Sequence, residues 1–257
     1  MPKPDVVAGT PIWVELYSSD TAKSRAFYGE LFGWTSEEPN EALGGYLNFQ
    51  RDGERIGGCM GNDGQSGMPD VWSVYLATDD IDKVAEGVTT NGGSVIAPPM
   101  AVADLGSMAV FSDPGGAVVG AWQPGTHAGC SVVAEPGSPG WFELHTRDYD
   151  TSVEFYRQAF GWDAHVMSDV AEFRYTTLRE GEEAQAGIMD ASSFLPDGAP
   201  AQWSTYFHVD DVDATLAKAV ELGATVVDAP EDTPYGRLAT ATDVTGACFK
   251  LHGDPTG

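Results

Sequence analysis

Basic side chains are scarce in this chain: 13 Lys plus Arg stand against 39 Asp plus Glu, a formal net charge of −26 at pH 7. So acidic a surface repels phosphate backbones and anionic lipid, which argues against nucleic acid and membrane as partners. Cysteine is nearly absent. Cys59, Cys130 and Cys248 are widely spaced with no CxxC pair, so neither a disulfide framework nor a thiolate zinc site is expected, and all three read as small core residues. No apolar run is long enough to cross a bilayer, and the opening MPKPDVVAGT has neither the basic nor the apolar stretch of an export signal. A cytoplasmic location is the expectation. A nucleophile elbow, a phosphate loop and a dinucleotide fingerprint are missing as well.

What the chain does have is self-similarity. WVELYSSDTAKSRAFYGELFGW, from Trp13 to Trp34, recurs as WFELHTRDYDTSVEFYRQAFGW, from Trp141 to Trp162. WSVYLATDDID from Trp72 recurs as WSTYFHVDDVD from Trp203, and SDPGGAVV from Ser112 matches TDVTGACF from Thr242. The offsets are 141 − 13 = 128, 203 − 72 = 131 and 242 − 112 = 130. Three blocks in one order at a nearly constant offset mean a duplicated domain. The expected division is a first domain over 9–125, a Gly- and Pro-rich linker over 126–138 in which Cys130 to Ala134 could still form a short strand, and a second domain over 139–254. At 42% hydrophobic and 11% aromatic, each half can fill a core.

Each half reads as strand, helix and strands, twice. Trp13 to Tyr17 is a β-rich run, Ser18, Ser19 and Asp20 are cap candidates, and a helix with Ala22, Ala26 and Phe27 on its buried face runs to Phe32 before Gly33. Val71 to Thr78 is a further strand; Asp79 and Asp80 precede a helix bearing Ile81, Val84 and Val88. In the second half Asp210 and Asp211 precede a helix bearing Val212, Leu216 and Val220. Tyr28, Tyr156, Trp34 and Trp162 read as packing residues.

A strand ending in Asp, a helix bearing AFY and LFGW, a DDxD helix start and a DPxG turn before a closing strand together resemble the vicinal oxygen chelate superfamily, in particular its two-domain actinobacterial glyoxalase/bleomycin resistance members. The resemblance implies an α+β fold, a tandem duplication of glyoxalase/bleomycin-resistance domains in which two βαβββ units form a half-open barrel with helices outside. It also implies a metal held by inward strand residues. Counting to the family's ligand positions gives Trp13, Ser73 and Gly120 in the first domain and Trp141, Ser204 and Lys250 in the second. A divalent ion needs nitrogen or oxygen lone pairs, which Trp, Gly and protonated Lys do not offer, so neither metal nor other cofactor is expected. One alternative stays open: Glu143, His145, His208 and His252 share the inward parity, and a displaced metal site would draw on them.

Projecting strand parity inward assigns Trp13, Glu15, Tyr17, Ser73, Tyr75 and Trp122 to a first ligand pocket. The second receives Trp141, Glu143, His145, Ser204, Tyr206 and His208, followed by Cys248, Lys250 and His252. Aromatic walls with a few polar groups suit a small planar or cationic molecule. The leading expectation is a metal-independent small-molecule-binding protein, for an aromatic or cationic metabolite or natural product. The alternative is an enzyme of the same superfamily, a lyase, isomerase, dioxygenase or hydroxylase-like catalyst, using Glu143, His145 and Tyr206 in acid–base chemistry or a displaced metal. Duplication builds within one chain the pairing that single-domain relatives make as dimers, so a monomer or homodimer is expected.

Overall fold

The computed structural model describes residues 7–65 and 67–255; residues 1–6 of the leading segment weighed above lie outside the described residues. The first half runs β1 (Pro11–Ser18), α1 (Thr21–Phe32), β2 (Thr35–Ser36), β3 (Leu47–Arg51), β4 (Glu54–Gly61), β5 (Val71–Ala77), α2 (Ile81–Thr90), β6 (Ser94–Val102), β7 (Gly106–Ser112) and β8 (Val118–Pro124). The second repeats it as β9 (Ser138–Thr146), α3 (Tyr149–Phe160), β10 (Ala164–Val170), β11 (Phe173–Leu178), β12 (Ala186–Asp190), β13 (Gln202–His208), α4 (Val212–Glu221), β14 (Thr225–Thr233), β15 (Gly236–Thr242) and β16 (Cys248–Gly253). Each half forms one eight-stranded sheet, in the order β2-β3-β4-β1-β5-β8-β7-β6 and its counterpart β10-β11-β12-β9-β13-β16-β15-β14. The end strands of each sheet do not pair with one another, so each sheet curls into a half-open barrel, as the resemblance implies.

Alternation along β1 sorts its two faces. Val14 and Leu16 are fully buried in a core that runs unbroken into the second half, reaching Phe142, Leu144, Phe207 and Phe249. The two sheets therefore turn their convex faces to one another, β5 meeting β13 directly at the centre, with α2 against α3 and α1 against α4 beside it. Their concave faces look outward.

Hydrogen bonds lock this arrangement reciprocally. Tyr28 on α1 donates to Asp243 of the second half's last turn at 2.9 Å and accepts from the Trp72 indole at 2.8 Å. Tyr156 on α3 donates to Asp113 of the first half's last turn at 3.2 Å and accepts from Trp203 at 2.8 Å. The two tyrosines thus pack, as expected, but each also ties its helix to the other domain.

Several sequence expectations shift. On α1, Ala22 and Ala26 are exposed, and the buried face is Ser24, Phe27, Tyr28 and Leu31. Ser24 is buried because its hydroxyl pairs with that of Ser18 at 2.8 Å. On α4, Val220 is exposed and Ala219 takes the inner position. Asp80 and Asp211, not Asp79 and Asp210, cap their helices by accepting from Lys83 and Ala214 backbone N–H groups. Cys59 and Cys130 are buried, but Cys248 is exposed, since it opens β16 beyond the shared core. Cys130 to Ala134 form no strand; Cys130 and Ser131 instead donate to the Ile12 and Arg55 carbonyls as irregular chain. Among the described residues no helix is long and apolar enough to cross a membrane.

Replacing Tyr28 by Phe removes the Tyr28 donor from Oδ2 of the buried Asp243, whose Oδ1 keeps its bonds from Thr245 and Ala247, and the acceptor from the buried Trp72 N–H, so urea denaturation of Tyr28→Phe should show a loss of about 1–3 kcal/mol. An unchanged midpoint would show that the reciprocal bond does not hold the halves together.

Candidate functional site

The concave face of the second sheet is built around Glu143. Strand β9 sets it opposite Gly187 of β12 and Ser204 of β13, in the middle of the sheet. Gly187 is required there: a Cβ would collide with the Tyr175 hydroxyl, which lies over it. Three donors converge on the carboxylate. Oε1 accepts from His145 Nε2 at 2.6 Å and from Tyr206 at 2.7 Å, and Oε2 accepts from Tyr175 at 2.7 Å. The Tyr175 hydroxyl in turn accepts from the Trp141 indole at 3.0 Å, and Lys250 Nζ donates to Tyr206 at 3.2 Å. Burial pushes the Glu143 carboxyl up, but the His145 hydrogen bond and charge and the two phenol donors outweigh it and hold the acid at about 2. Burial first, then the Glu143 charge, push both phenols well above their ordinary value, so they remain donors.

The first half carries the same Trp, Glu and Tyr frame, with Gly120 where the second has Lys250 and a further exchange at the partner residue of the Glu. The Trp13 indole donates to Tyr46 at 2.9 Å and Tyr75 donates to Glu15 at 3.3 Å, but Tyr17 stands where the second half has His145. With no imidazole partner, burial dominates and the Glu15 carboxyl is raised, although Tyr46 and Tyr75 pull it down. One repeated Trp-x-Glu motif therefore yields two acids shifted in opposite directions.

A cavity of about 680 Å³ opens over the second face. Trp141, Phe173, Tyr175, Tyr206 and Tyr235 supply aromatic walls, Met167, Met189 and Leu238 add apolar surface, and Glu143 is the acid of the interior. His165, Glu180 and His252 are also on the lining. Of the residues expected here, Trp141, Glu143, Tyr206 and His252 line the cavity. His145 is buried behind Glu143, edge-on to Phe194, and Lys250 lies against Tyr206, its Nζ 4.9 Å from the ring centre. Ser204 sits across the backbone from Glu143. His208 faces His252, with 3.4 Å between Nδ1 atoms. In the first half Trp13, Tyr75 and Trp122 are buried, and Glu15, Tyr17 and Ser73 are half-buried.

Sequence parity missed Tyr175, Phe173, Tyr235, Met189 and Leu238. One signal was present: Tyr46 and Tyr175 stand 175 − 46 = 129 residues apart, the offset of the repeat.

The residues at the family's ligand positions do not fit a divalent ion. Trp141 spends its only polar hydrogen on Tyr175, Lys250 presents an ammonium to Tyr206, and Tyr75 lies over Gly120. The three histidines do not converge either: antiparallel pairing of β9 with β13 puts His145 opposite Gln202 and His208 opposite Ser138, at the far end. Among the described residues no group of three or more His, Cys, Asp or Glu side chains is placed to hold a metal.

The two acids predict opposite pH behaviour. Glu143 is depressed, so its contribution is complete above the ordinary carboxyl value of 4.5 and is lost as pH falls toward about 2. Glu15 is raised, so its contribution is present at low pH and lost as pH rises through its shifted value. Denaturation at neutral pH should show Glu143→Gln destabilised and Glu15→Gln unchanged or stabilised; the same sign for both would refute the assignment.

Comparison with known proteins agrees with this frame. The family model described as Glyoxalase/Bleomycin resistance protein/Dioxygenase superfamily matches residues 10–120 and again 138–251. A protein named "Putative glyoxylase CFP32" from Mycobacterium bovis is 37% identical over 248 residues, covering 95% of this chain and 94% of that one. The anthracycline biosynthesis protein DnrV of Streptomyces peucetius is 38% identical over 258 residues, covering 95% and 92%. The Mn(II)-bound glyoxalase from Novosphingobium aromaticivorans shares the fold at a TM-score of 0.65 and 16% identity, over 97% of this chain and 83% of that one. The chain belongs to the glyoxalase/bleomycin resistance protein/dioxygenase superfamily, as two tandem domains of that family in one polypeptide.

Proposed function

We propose that the protein binds a planar aromatic small molecule in the second-half cavity, without a metal. The observation that carries this reading is the lining: five aromatic side chains around about 680 Å³, the size of an ordinary ligand pocket, with the Glu143 carboxylate buried among them and that of Glu180 at the exposed rim. A carboxylate offers about four lone-pair sites. Three are filled from within, two on Oε1 and one on Oε2. The site left on Oε2 favours a ligand that brings a single O–H or N–H donor to an otherwise stacked ring.

An acid held at about 2 is a weak base at neutral pH and a strong hydrogen-bond acceptor, which favours binding over acid–base turnover. His145 supports the same reading, because it is buried behind Glu143 and serves to hold that carboxylate ionised. The names of two relatives point the same way. DnrV and DauV are both called anthracycline biosynthesis proteins, and an anthracycline is a hydroxylated planar fused-ring molecule of the shape and donor chemistry this cavity suits.

Titrating hydroxylated polycyclic aromatics while following tryptophan fluorescence should give saturable quenching. Trp141→Ala should weaken it on the order of tenfold, about 1.4 kcal/mol. Prior treatment with a strong chelator should leave the affinity unchanged. Quenching abolished by the chelator and restored by a divalent ion would defeat the metal-free reading, and no saturable binding across the panel would defeat the ligand class.

A further inference from the structure

The two concave faces share a frame, and the cavity described above belongs to the second. In the first, the end bounded by Trp13 and Trp122 is occupied by the chain's own connection between the halves. After β8 the backbone is fastened to the β6–β7 turn, with Gly125 and His127 donating to the Leu105 carbonyl at 2.8 and 3.0 Å and Thr126 to Asp104 at 2.9 Å. The Trp122 indole donates to the His127 carbonyl at 2.9 Å. The connection then passes so close to β1 that Gly129, at φ 97°, has no room for a side chain: a Cβ would overlap Ile12. Cys130 next donates its N–H to the Ile12 carbonyl at 2.8 Å and its thiol to the Ile56 carbonyl at 3.2 Å.

This path delivers the His127 ring onto the aromatic wall. It stands edge-on to Trp13, with ring centres 4.5 Å apart at 89°, and 5.5 Å from Trp122 at 65°. The repeat offsets make Trp141 and His252 the counterparts of Trp13 and Trp122, and both of those line the open cavity. The difference is local to this end: Trp13 is 5% exposed whereas Trp141 is only half-buried, while farther along β1 Glu15 and Tyr17 are half-buried where Glu143 and His145 are buried.

We propose that the Trp13–Trp122 end of the first half-barrel is a second small-molecule site, filled by His127 as a tethered ligand, and that it accepts a small neutral nitrogen heteroaromatic ring when that side chain is removed. The ring it holds is an uncharged imidazole set edge-to-face between two indoles. That geometry selects planar rings over aliphatic groups of equal size, because the positive ring edge meets the negative indole face. Burial, with Arg55 nearby, lowers the His127 imidazole to about 4 against the weaker opposing effect of Glu37, so the plug is neutral at physiological pH. The site is separate from the second-half cavity, and its fate does not depend on what that cavity binds.

The test is His127→Ala, titrated with imidazole at about pH 8, where free imidazole is neutral. At roughly ten times its dissociation constant imidazole should raise the variant's melting temperature by about 3 °C and leave the wild type unmoved. Cyclopentane-sized aliphatic probes should do neither. No imidazole response in folded His127→Ala, or an equal response in the wild type, overturns the proposal. The native protein gives a second measurement that needs no folded variant: in NMR titration the His127 ring protons should be shifted by the indole ring currents and titrate well below 6.5. Unshifted ring protons titrating at the ordinary value overturn it as well.

Discussion

The structure depends on the two sheets being packed convex face to convex face. A sheet with one apolar face must bury it, and here each half covers the other through a continuous core rather than closing its own barrel. The reciprocal bonds from Tyr28 to Asp243 and from Tyr156 to Asp113 fix that packing at the two places where a helix of one half meets the last turn of the other. Because the convex faces are committed inward, both concave faces must look out. Each becomes a separate container, and what fills it is decided locally.

The local decision is visible in the duplicated Trp-x-Glu. Glycine opposite the Glu lets a tyrosine from the neighbouring hairpin lie across the strand, at Gly58 under Tyr46 and at Gly187 under Tyr175. The indole two residues before the Glu then donates to that phenol in both halves. Frame and acid are thus preserved, and their electrostatics diverge where His145 replaces Tyr17 and Lys250 replaces Gly120, the imidazole being the larger cause. An imidazole donor turns an acid that burial raises above its ordinary value into one held below it. Only the ionised form can serve as a strong acceptor within an aromatic cavity.

The duplication was legible because the repeated blocks are the parts that make core and turns, where substitution is costly: the helix carrying Tyr28 or Tyr156, the capping Asp80 or Asp211, the Asp113 or Asp243 turn. Strand parity correctly divided Val14 and Leu16 from Trp13 and Glu15, since a period of two depends on the backbone alone. Parity gives the face but not the depth. Lys250 and Ser204 share the inward face, yet Lys250 turns aside to Tyr206 and Ser204 sits against Glu143. Phe173, at the start of β11, and Tyr235, in the β14–β15 turn, reach the cavity from edge hairpins, stacking 5.8 Å apart, and nothing in the local pattern of either segment reveals a partner 62 residues away (235 − 173 = 62). Nor could composition show that His127, in a segment read as a joint, sits on the wall of the first barrel. That placement follows from the path of the backbone past Leu105 and Ile12.

The chemistry of the second site follows from how its carboxylate is used. A metal ligand must offer lone pairs outward, and a general base must be willing to take a proton. Glu143 is arranged for neither, because His145, Tyr175 and Tyr206 occupy three of its acceptor positions and favour its charged form. Such saturation lowers basicity and fixes orientation together, which suits a rigid acceptor meeting one donor of an incoming ring. The phenols that hold the acid also supply the flanking walls, so the same side chains that remove reactivity from the carboxylate create the flat apolar surfaces around it. On the proposed reading, recognition would rest on shape and one directed hydrogen bond to the free position of Oε2.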